Sequence, residues 1–226
     1  IIYRNSLRKI GKCTGSDKVY GHDFIPIYEN YFKSLRKESL NILGIGIGGY
    51  EDPNSGGESL LMWAEYFRNS KIIGADLSEK NLKLPKRVET VKLDQSNQDE
   101  LDRLGSSRGG FDIIIDDGSH VSIHVILTFQ TLWKYLNNNG LYIIEDTQTS
   151  YWTKLGGYDK PDEKRATKFF SNLTDGINCK EIVGDYRPSL IEEGLEFIHF
   201  YHNIIVVKKN TKEKKSLWVK DGELLL

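Results

Sequence analysis

The chain has 226 residues, of which 28% are charged and 38% hydrophobic, the balance of a globular protein. Its 31 basic and 32 acidic residues give a formal net charge of −1, which argues against a nucleic-acid-binding or membrane-surface protein. The two cysteines, Cys13 and Cys179, have no metal-type spacing and form no disulfide framework, which favours a reducing compartment. No apolar run approaches the roughly 20 residues of a membrane helix. We therefore predict a cytoplasmic protein without a membrane span.

Apolar runs alternate with helical patterns along the chain. Short apolar runs predict strands at residues 40–46, 71–76, 88–94, 111–116 and 141–146. Helices are predicted at residues 58–67, 97–105, 120–136 and after Pro161. The evidence is apolar residues at three- and four-residue spacing or, at 97–105, a short polar-faced pattern that ends at a glycine. Gly105 and the stretch "NNNG" (137–140) are read as the ends of two of these helices. Residues 195–209 read as a closing hairpin around His202 and Asn203.

Continuously apolar strands that alternate with helices indicate a parallel sheet covered on both faces. With the final hairpin, the sequence predicts an α/β fold: a doubly wound, mostly parallel seven-stranded sheet with an antiparallel edge hairpin. Ligands of such open sheets bind at the carboxyl ends of the strands. Five polar clusters lie at those ends, at residues 46–50, 76, 94–95, 116–120 and 145–149.

A glycine-rich loop follows the first predicted strand. Gly44, Gly46 and Gly49 match G-x-G-x-x-G, which alone is a weak signal. A dinucleotide fingerprint opens a helix at once and has an acidic residue about 20 positions later. Here the helix starts near Ser59, and Asp76 lies 32 residues after Gly44. A simple turn between strand and helix is the alternative reading of this loop.

The acidic residues at the next two strand ends favour another ligand. Asp76 can accept hydrogen bonds from both hydroxyls of a ribose, and Asp94 or Gln95 can read an adenine edge. A backbone that passes close to a nucleoside and an amino-acid tail fits S-adenosylmethionine better than a nicotinamide cofactor. Asp76 as a helix cap before "SEKN" is the alternative.

Carboxylates and an imidazole end two strands that we expect to be neighbours. Asp116, Asp117 and His120 follow one strand, and Glu145 and Asp146 follow the other. Carboxylates this close raise one another's pKa unless a cation neutralises them. Oxygen ligation selects Mg²⁺, Mn²⁺ or Ca²⁺ over Zn²⁺. His120 suits a general base whose pKa lies near working pH.

Both roles have alternatives: Asp116 can simply orient a loop, and Ser119 can cap the following helix, with His120 merely exposed.

Six stretches together resemble the metal-dependent sugar O-methyltransferases of antibiotic biosynthesis, of the mycinamicin and rhamnose 2-O-methyltransferase type. They are "GIGIGGYEDPNSGGESLLMW", "IIGADLSEKN", "LDQSNQDEL", "FDIIIDDGSHVSIHVILTFQTLW", "GLYIIEDTQTSYW" and "IHFYHNIIVVKK". The resemblance runs from about Gly15 to Lys209, and its "DDGSH" and "EDTQTSYW" motifs are specific to that group. It implies a class I methyltransferase fold, S-adenosylmethionine, Mg²⁺, and methyl transfer to a sugar hydroxyl, such as O2 of the 6-deoxyhexose rhamnose.

The same resemblance assigns the site residues. His120 is the implied catalytic base. The implied metal ligands are Asp117, Glu145 and Asp146. The implied cofactor-binding residues are Gly44, Gly46, Gly48, Ser59, Asp76, Asp94, Gln95 and Asp116. Gly44 departs from the family, which usually has an acidic residue there.

The segment "CTGSDKVYGHDFIPIYENYF" resembles a family stretch that precedes the sheet. Its Lys18, His22 and Tyr28 either fold over the active site or belong to a tether packed on the sheet. The candidate substrate residues are His22, Tyr28, Gln148, Tyr151 and Trp152, of which Tyr151 and Trp152 are either a wall for a sugar ring or core aromatics.

We divide the chain into an N-terminal helical segment that covers the active site (1–38), a cofactor-binding methyltransferase domain (39–210) and a C-terminal tail (211–226). The start lacks Met and a hydrophobic leader, so we expect no signal peptide and a domain cut from a longer protein.

Two other functions remain open. A nicotinamide-dependent nucleotide-sugar dehydrogenase or epimerase needs a Y-x-x-x-K pair, and no tyrosine here has a lysine four residues later. A non-catalytic cofactor-binding domain would not need the acidic residues and histidine. We expect the partner to be a sugar-containing acceptor, either a glycan or a glycosylated small molecule, and an oligomer is open.

Overall fold

The computed structural model describes residues 6–155, 157, 164–210 and 212–225. The main sheet consists of β1 (Asn41–Ile45), β2 (Lys71–Asp76), β3 (Val88–Lys92), β4 (Phe111–Asp116), β5 (Leu136–Ile144), β6 (Leu195–Tyr201) and β7 (Ile204–Lys209). The helices are α1 (Leu7–Thr14), α2 (Asp17–Tyr20), α3 (Ile25–Phe32), α4 (Glu58–Tyr66), α5 (Gln98–Arg108), α6 (Ser122–Leu132), α7 (Ala166–Asn172), α8 (Thr174–Ile177) and α9 (Leu190–Glu193). A small hairpin follows, formed by β8 (Val219–Lys220) and β9 (Glu223–Leu224).

The strand order of the main sheet is β3-β2-β1-β4-β5-β7-β6. Strands β1 to β5 are parallel, and β7 pairs antiparallel with both β5 and β6. The predicted doubly wound sheet with an antiparallel edge hairpin is therefore confirmed. The chain reverses its direction of winding between β1 and β4, and open α/β sheets bind ligands outside the strand ends at such a point.

The sheet has a hydrophobic core on each face, which explains why its central strands are continuously apolar. Ile42 and Ile113 pack on the face covered by α1, α3 and α4, together with Tyr28 and Trp63. The neighbouring residues of β1 and β4 point to the opposite face, covered by α5, α6 and α7. Helices α1 and α3 thus share one core with the sheet and α4.

Helix α5 begins at its Asn97 cap, whose side chain accepts hydrogen bonds from two backbone amides of the first turn. We predicted that it ends at Gly105, but it continues to Arg108. Gly105 serves close packing instead, because an added Cβ there would lie 2.1 Å from Cδ2 of Tyr135. A glycine inside a helix is therefore explained here by a neighbouring ring and not by a chain reversal.

Helix α6 is shorter than the predicted helix at residues 120–136. It begins at Ser122 and ends at Leu132, and a 3₁₀ turn of three residues leads to Leu136. The stretch "NNNG" that we read as a helix end lies within β5, whose first residue pairs with Phe111 of β4. The Lys209 ammonium donates to the Leu136 carbonyl at 2.7 Å and stabilises this early start of the strand.

Most predicted strands match the observed ones within two residues at the end that carries polar groups. β3 ends two residues before Asp94, and β5 ends immediately before Glu145. The helix predicted after Pro161 corresponds to α7, which begins at Ala166, and residues 158–163 lie outside the described part of the chain. Among the described residues, none of the helices has the length and apolar character needed to span a bilayer.

Candidate functional site

Three side chains converge where β4 and β5 end side by side. Asp117 and His120 follow β4, and Asp146 follows β5. The two strands are held in register here, since the Glu145 amide donates to the Asp116 carbonyl at 2.9 Å. One potential ligand atom from each of Asp117, His120 and Asp146 lies within 4.8 Å of the other two. We call these three residues the acid–imidazole cluster.

His120 occupies the centre of this cluster. Its Nε2 lies 3.8 Å from Oδ2 of Asp146 and 3.9 Å from Oδ1 of Asp117. The ring is partly exposed, so a ligand in the crevice can reach it. A partly exposed imidazole nitrogen in this position can accept a proton from a hydroxyl that is bound in the crevice.

Glu145, the third predicted metal ligand, lies deeper, beneath the N-terminal segment. Its Oε2 accepts from the Lys18 ammonium at 2.8 Å, and its Oε1 accepts from the Tyr28 hydroxyl. The same ammonium lies 2.7 Å from Oδ2 of Asp117. Lys18 is only 1% exposed, so an intact ion pair must offset its loss of hydration.

Lys18 is one positive charge beside the two carboxyl groups of Asp117 and Glu145. Burial and the charge of Asp117 raise the pKa of Glu145 to about 8, because one ammonium does not offset two carboxylates. Burial opposes the charge of Lys18, but the nearby charges of Asp117 and Glu145 outweigh it and raise the lysine pKa. Burial, and then the charge of Glu145, raises the pKa of Tyr28, which therefore stays a hydrogen-bond donor.

Two predicted substrate residues contact Asp146. The Nδ1 atom of His22 lies 3.4 Å from Oδ1 of Asp146, and the Gln148 amide donates to the same oxygen at 3.1 Å. His22 also stacks on Phe24 of the N-terminal segment. The structure thus brings His22 of the N-terminal segment and Gln148 of the turn after β5 to the same carboxylate.

Tyr151 and Trp152 are 52% and 50% exposed, so they are not core aromatics. Tyr151 lies under the Arg165 guanidinium and lines a cavity of about 560 Å³ beside Gln148. Phe200 at the end of β6 and Asn203 of the turn after it line the same cavity. This cavity therefore adjoins Gln148, which contacts Asp146 of the acid–imidazole cluster.

Asp116, predicted as a cofactor-binding residue, is 2% exposed and bonds to neighbouring side chains. Its carboxylate accepts from the Gln95 amide at 2.6 Å and from the Tyr142 hydroxyl at 3.2 Å. Burial raises the pKa of Asp116 to about 7, although these hydrogen bonds oppose the shift. The other atom of the Gln95 amide accepts from the Ser119 backbone at 2.8 Å. Asp116 and Gln95 thus orient the loop after β4, the alternative role that the sequence left open for Asp116.

Ser119 is not the cap of α6, because Val121 occupies that position. The Ser119 hydroxyl instead accepts from the Val121 amide and contacts Nδ1 of His124.

The glycine loop passes directly behind the cluster. Gly46 has a φ of 90°, and an added Cβ would lie 2.0 Å from the Asp117 carbonyl oxygen. Gly48 has a φ of 79°, and an added Cβ there would meet no atom within 4 Å. Gly46 therefore lets the loop pack on Asp117, whereas Gly48 borders open space. Gly44 lies inside β1, where its Cβ position faces Leu60 of α4 at 3.6 Å.

The remaining predicted cofactor residues lie along the same edge of the sheet. Asp76 accepts from the Ile47 amide at 2.8 Å and from the Ser78 amide at 2.9 Å, so it orients the glycine loop as well as its own turn. Asp94 accepts from Ser96 through Oδ1, and these hydrogen bonds lower the pKa of the carboxylate. Ser59 lies half-buried in the first turn of α4.

Sequence reasoning missed the ion pairs of Lys18 and the bond from Tyr142. Lys18 was placed only in a segment folded over the site or tethered to the sheet, and 99 residues separate it from Asp117. Tyr142 is part of an apolar run that reads as a buried strand, so its hydroxyl carried no local signal. The sequence around Lys18, "SDKVY", contains no pattern that identifies the partners of this lysine.

Comparisons with known proteins give a consistent result. No protein-family model matches the chain. The 8-demethyl-8-alpha-L-rhamnosyl tetracenomycin-C 2'-O-methyltransferase of Streptomyces olivaceus is 40% identical over 197 residues, which cover 86% of this chain and 52% of that protein. The mycinamicin VI 2''-O-methyltransferase of Micromonospora griseorubida is 35% identical over 212 residues, which cover 91% of this chain and 53% of that protein. The chain spans about half the length of these curated relatives.

Solved structures agree with these relatives. The MycE methyltransferase from the mycinamycin biosynthetic pathway, in complex with Mg and SAH, matches with a TM-score of 0.89 and 31% identity over 96% of this chain and 57% of that one. Its complex with Mg, SAH and mycinamycin VI matches with a TM-score of 0.83 and 32% identity over 92% and 56% of the two chains. This chain is therefore homologous, over most of its length, to sugar O-methyltransferases, and it has their class I, Rossmann-like fold.

Proposed function

We propose that this chain is the catalytic part of an S-adenosylmethionine- and Mg²⁺-dependent O-methyltransferase that acts on a sugar hydroxyl. The observation that carries the proposal is the convergence of Asp117, His120 and Asp146 within 4.8 Å, on the strand end against which the glycine loop packs. The homology to sugar O-methyltransferases supports it. The acceptor that we propose is a 6-deoxyhexose such as rhamnose, methylated at O2 and carried by a glycan or a glycosylated small molecule.

The donor set fits a hard divalent cation. We assign Mg²⁺ binding to Asp117, Glu145 and Asp146, whose carboxylates are the ligands that this ion prefers. The two oxygens of a carboxylate offer about four acceptor positions, so Glu145 can keep its bonds to Lys18 and Tyr28 and still bind a cation. Mn²⁺ and Ca²⁺ share this oxygen chemistry.

The glycine loop and its neighbours fit the nucleoside and amino-acid parts of S-adenosylmethionine. Gly48 leaves open space where a side chain would stand. Asp76 and Asp94 keep carboxylate acceptor positions for ribose hydroxyls and an adenine edge, in line with the predicted roles. We keep Gly46 in the cofactor set because it lies in the loop that packs on Asp117, and Ser59 because it lies in the first turn of α4, which follows this loop.

When bound, the metal ion lowers the pKa of a neighbouring sugar hydroxyl, and the cofactor sulfonium supplies the methyl group. His120 accepts the hydroxyl proton at Nε2, and the carboxylates of Asp117 and Asp146 stabilise the imidazolium that results. Gly46 keeps the cofactor loop against Asp117, so cofactor and acceptor are held side by side. Tyr151 and Trp152 give the sugar an apolar wall.

We also infer that the N-terminal helical segment (1–38) covers the active site of the domain formed by residues 39–210, with residues 211–226 as a tail. Lys18 and Tyr28 bond to Glu145, and His22 contacts Asp146, so this segment closes the inner side of the site.

Chelation of divalent cations tests the metal requirement. With rhamnose-bearing acceptors and labelled cofactor, EDTA should abolish methyl transfer and excess Mg²⁺ should restore it, because the carboxylates cannot activate a hydroxyl without a cation. Rates are measured before chelation, in EDTA and after Mg²⁺ addition, with S-adenosylhomocysteine affinity as the control for folding. Full activity in EDTA would remove the metal from the proposed mechanism.

Ligand selectivity separates this function from that of a nicotinamide-dependent enzyme. S-adenosylhomocysteine should raise the melting temperature, because a ligand bound only by the native state stabilises it, whereas NAD should leave it unchanged. A thermal-shift series over a range of concentrations of each ligand makes the comparison. Stabilisation by NAD alone would contradict the proposal and favour the dehydrogenase or epimerase.

A further inference from the structure

Two residues of the acid–imidazole cluster have an unusual backbone conformation. The φ angle is 56° at His120 and 51° at Asp146, in the left-handed region that residues with a Cβ rarely adopt. Such conformations persist where surrounding contacts hold them, and they are frequent at functional sites. The contacts that hold these two residues therefore influence where their side chains lie.

Both residues turn their backbone carbonyls towards one hydroxyl. Oγ1 of Thr149 lies 2.8 Å from the carbonyl oxygen of His120 and 2.9 Å from that of Asp146. The Thr149 amide donates to the Asp146 carbonyl as well, at 3.1 Å. A hydroxyl has a single proton, so the two carbonyls share it. Thr149 thus joins the loop after β4 to the turn after β5.

Two of the three residues of the acid–imidazole cluster, His120 and Asp146, depend on the contact with Thr149. Asp117 is held independently, because its amide donates to the Ile45 carbonyl at 2.9 Å. His120 and Asp146 have left-handed backbones and meet at Thr149, and their side chains approach each other to 3.8 Å. Thr149 is 5% exposed, which shields its hydroxyl from competing water. A loss of the hydroxyl would let the two loops separate and move His120 and Asp146 apart.

We propose that Thr149 is a positioning residue whose hydroxyl ties the backbone of Asp146 to the loop after β4 and so holds this carboxylate in place, which sets the affinity of the proposed metal site for a divalent cation. Groups that orient the ligands of a metal change its affinity by about 10- to 100-fold when they are removed. The proposal rests on the metal site of the proposed function and is independent of the acceptor.

The test compares Thr149→Val, which keeps the shape of the side chain, with Thr149→Ser, which keeps the hydroxyl. Mn²⁺ binding to the full chain is measured by calorimetry in the presence of S-adenosylhomocysteine. We expect Thr149→Val to raise the Mn²⁺ dissociation constant at least about tenfold and Thr149→Ser to leave it within about threefold of the unmodified protein. Thr131→Val is the matched control, because Thr131 is equally buried at 5% and lies on α6, outside the site.

Unchanged Mn²⁺ affinity in Thr149→Val would overturn the proposal, and so would equal loss in the Val and Ser variants, since the hydroxyl would then not be the cause. If Thr149→Val does not fold, Thr149→Ala and Thr149→Ser give the same comparison, because they differ only by the hydroxyl. A Mn²⁺ dissociation constant about tenfold higher in Thr149→Ala than in Thr149→Ser supports the proposal, and equal constants contradict it. Absence of Mn²⁺ binding in the unmodified protein is a separate result that overturns the metal site of the proposed function.

Discussion

His120→Ala is expected to lower the rate of methyl transfer by about 10²- to 10⁴-fold, because the other two residues of the acid–imidazole cluster are carboxylates that we assign to the metal ion. Binding of S-adenosylhomocysteine should stay at the level of the unmodified protein, since His120 is not among the residues that we assign to the cofactor. Single-turnover assays with labelled cofactor measure the rate, and calorimetry measures the affinity.

Two further variants separate the possible causes of such a loss. His120→Asn tolerates the left-handed backbone and cannot act as a base, so it should be as slow as His120→Ala without backbone strain. His199→Ala is the control, because His199 lies on β6 and bonds to Tyr31. Equal loss of rate and of S-adenosylhomocysteine affinity in His120→Asn would make His120 a structural residue.

Lys18→Met is expected to lower the free energy of unfolding by about 3–5 kcal/mol in EDTA, because it leaves Asp117 and Glu145 close together without a counter-charge. Saturating Mg²⁺ should reduce this deficit, since a cation bound between the same carboxylates supplies part of the missing charge. Urea unfolding with EDTA and with Mg²⁺ measures both values.

Lys80→Met is the matched control for this variant. Lys80 is 8% exposed, and its ammonium donates to the backbone carbonyls of Tyr50 and Asp52. Its replacement removes hydrogen bonds but leaves no unpaired carboxylate, so the loss should be smaller and independent of Mg²⁺. If Lys18→Met is no less stable than Lys80→Met, the ion pairs of Lys18 contribute nothing beyond ordinary hydrogen bonds.

The sheet was predictable because its strands are buried on both faces. Residues 71–76 and 111–116 are strands with the predicted bounds, since an apolar run bounded by polar residues leaves little freedom in where a parallel strand starts and stops. Helix ends were less predictable. Gly105 contacts a ring from another element, and Leu136 begins a strand because Phe111 pairs with it. Both depend on partners that no local pattern contains.

The sequence predicted which strand ends form the candidate site, but it did not predict the contacts between the side chains there. The polar residues after β4 and β5 had to lie at one edge because parallel strands end together, and the structure brings Asp117, His120 and Asp146 within reach of one another. Loop orientation by Asp116 was one of the roles that the sequence offered, but its partners were not predictable, because Gln95 and Tyr142 come from other strands and loops. Short stretches of sequence carry no information about such pairings.

The bond between Lys18 and Glu145 has a consequence for the order in which the protein forms during its synthesis. The two residues are 127 positions apart, so at translation rates of about 5–20 residues per second roughly 6 to 25 s pass between their additions to the chain. During that time the apolar faces of α1 and α3, with Leu7, Ile25 and Phe32, have no complete sheet on which to pack. The apolar surface of this N-terminal segment therefore stays exposed on the nascent chain until β5 has been synthesised and Glu145 can bond to Lys18.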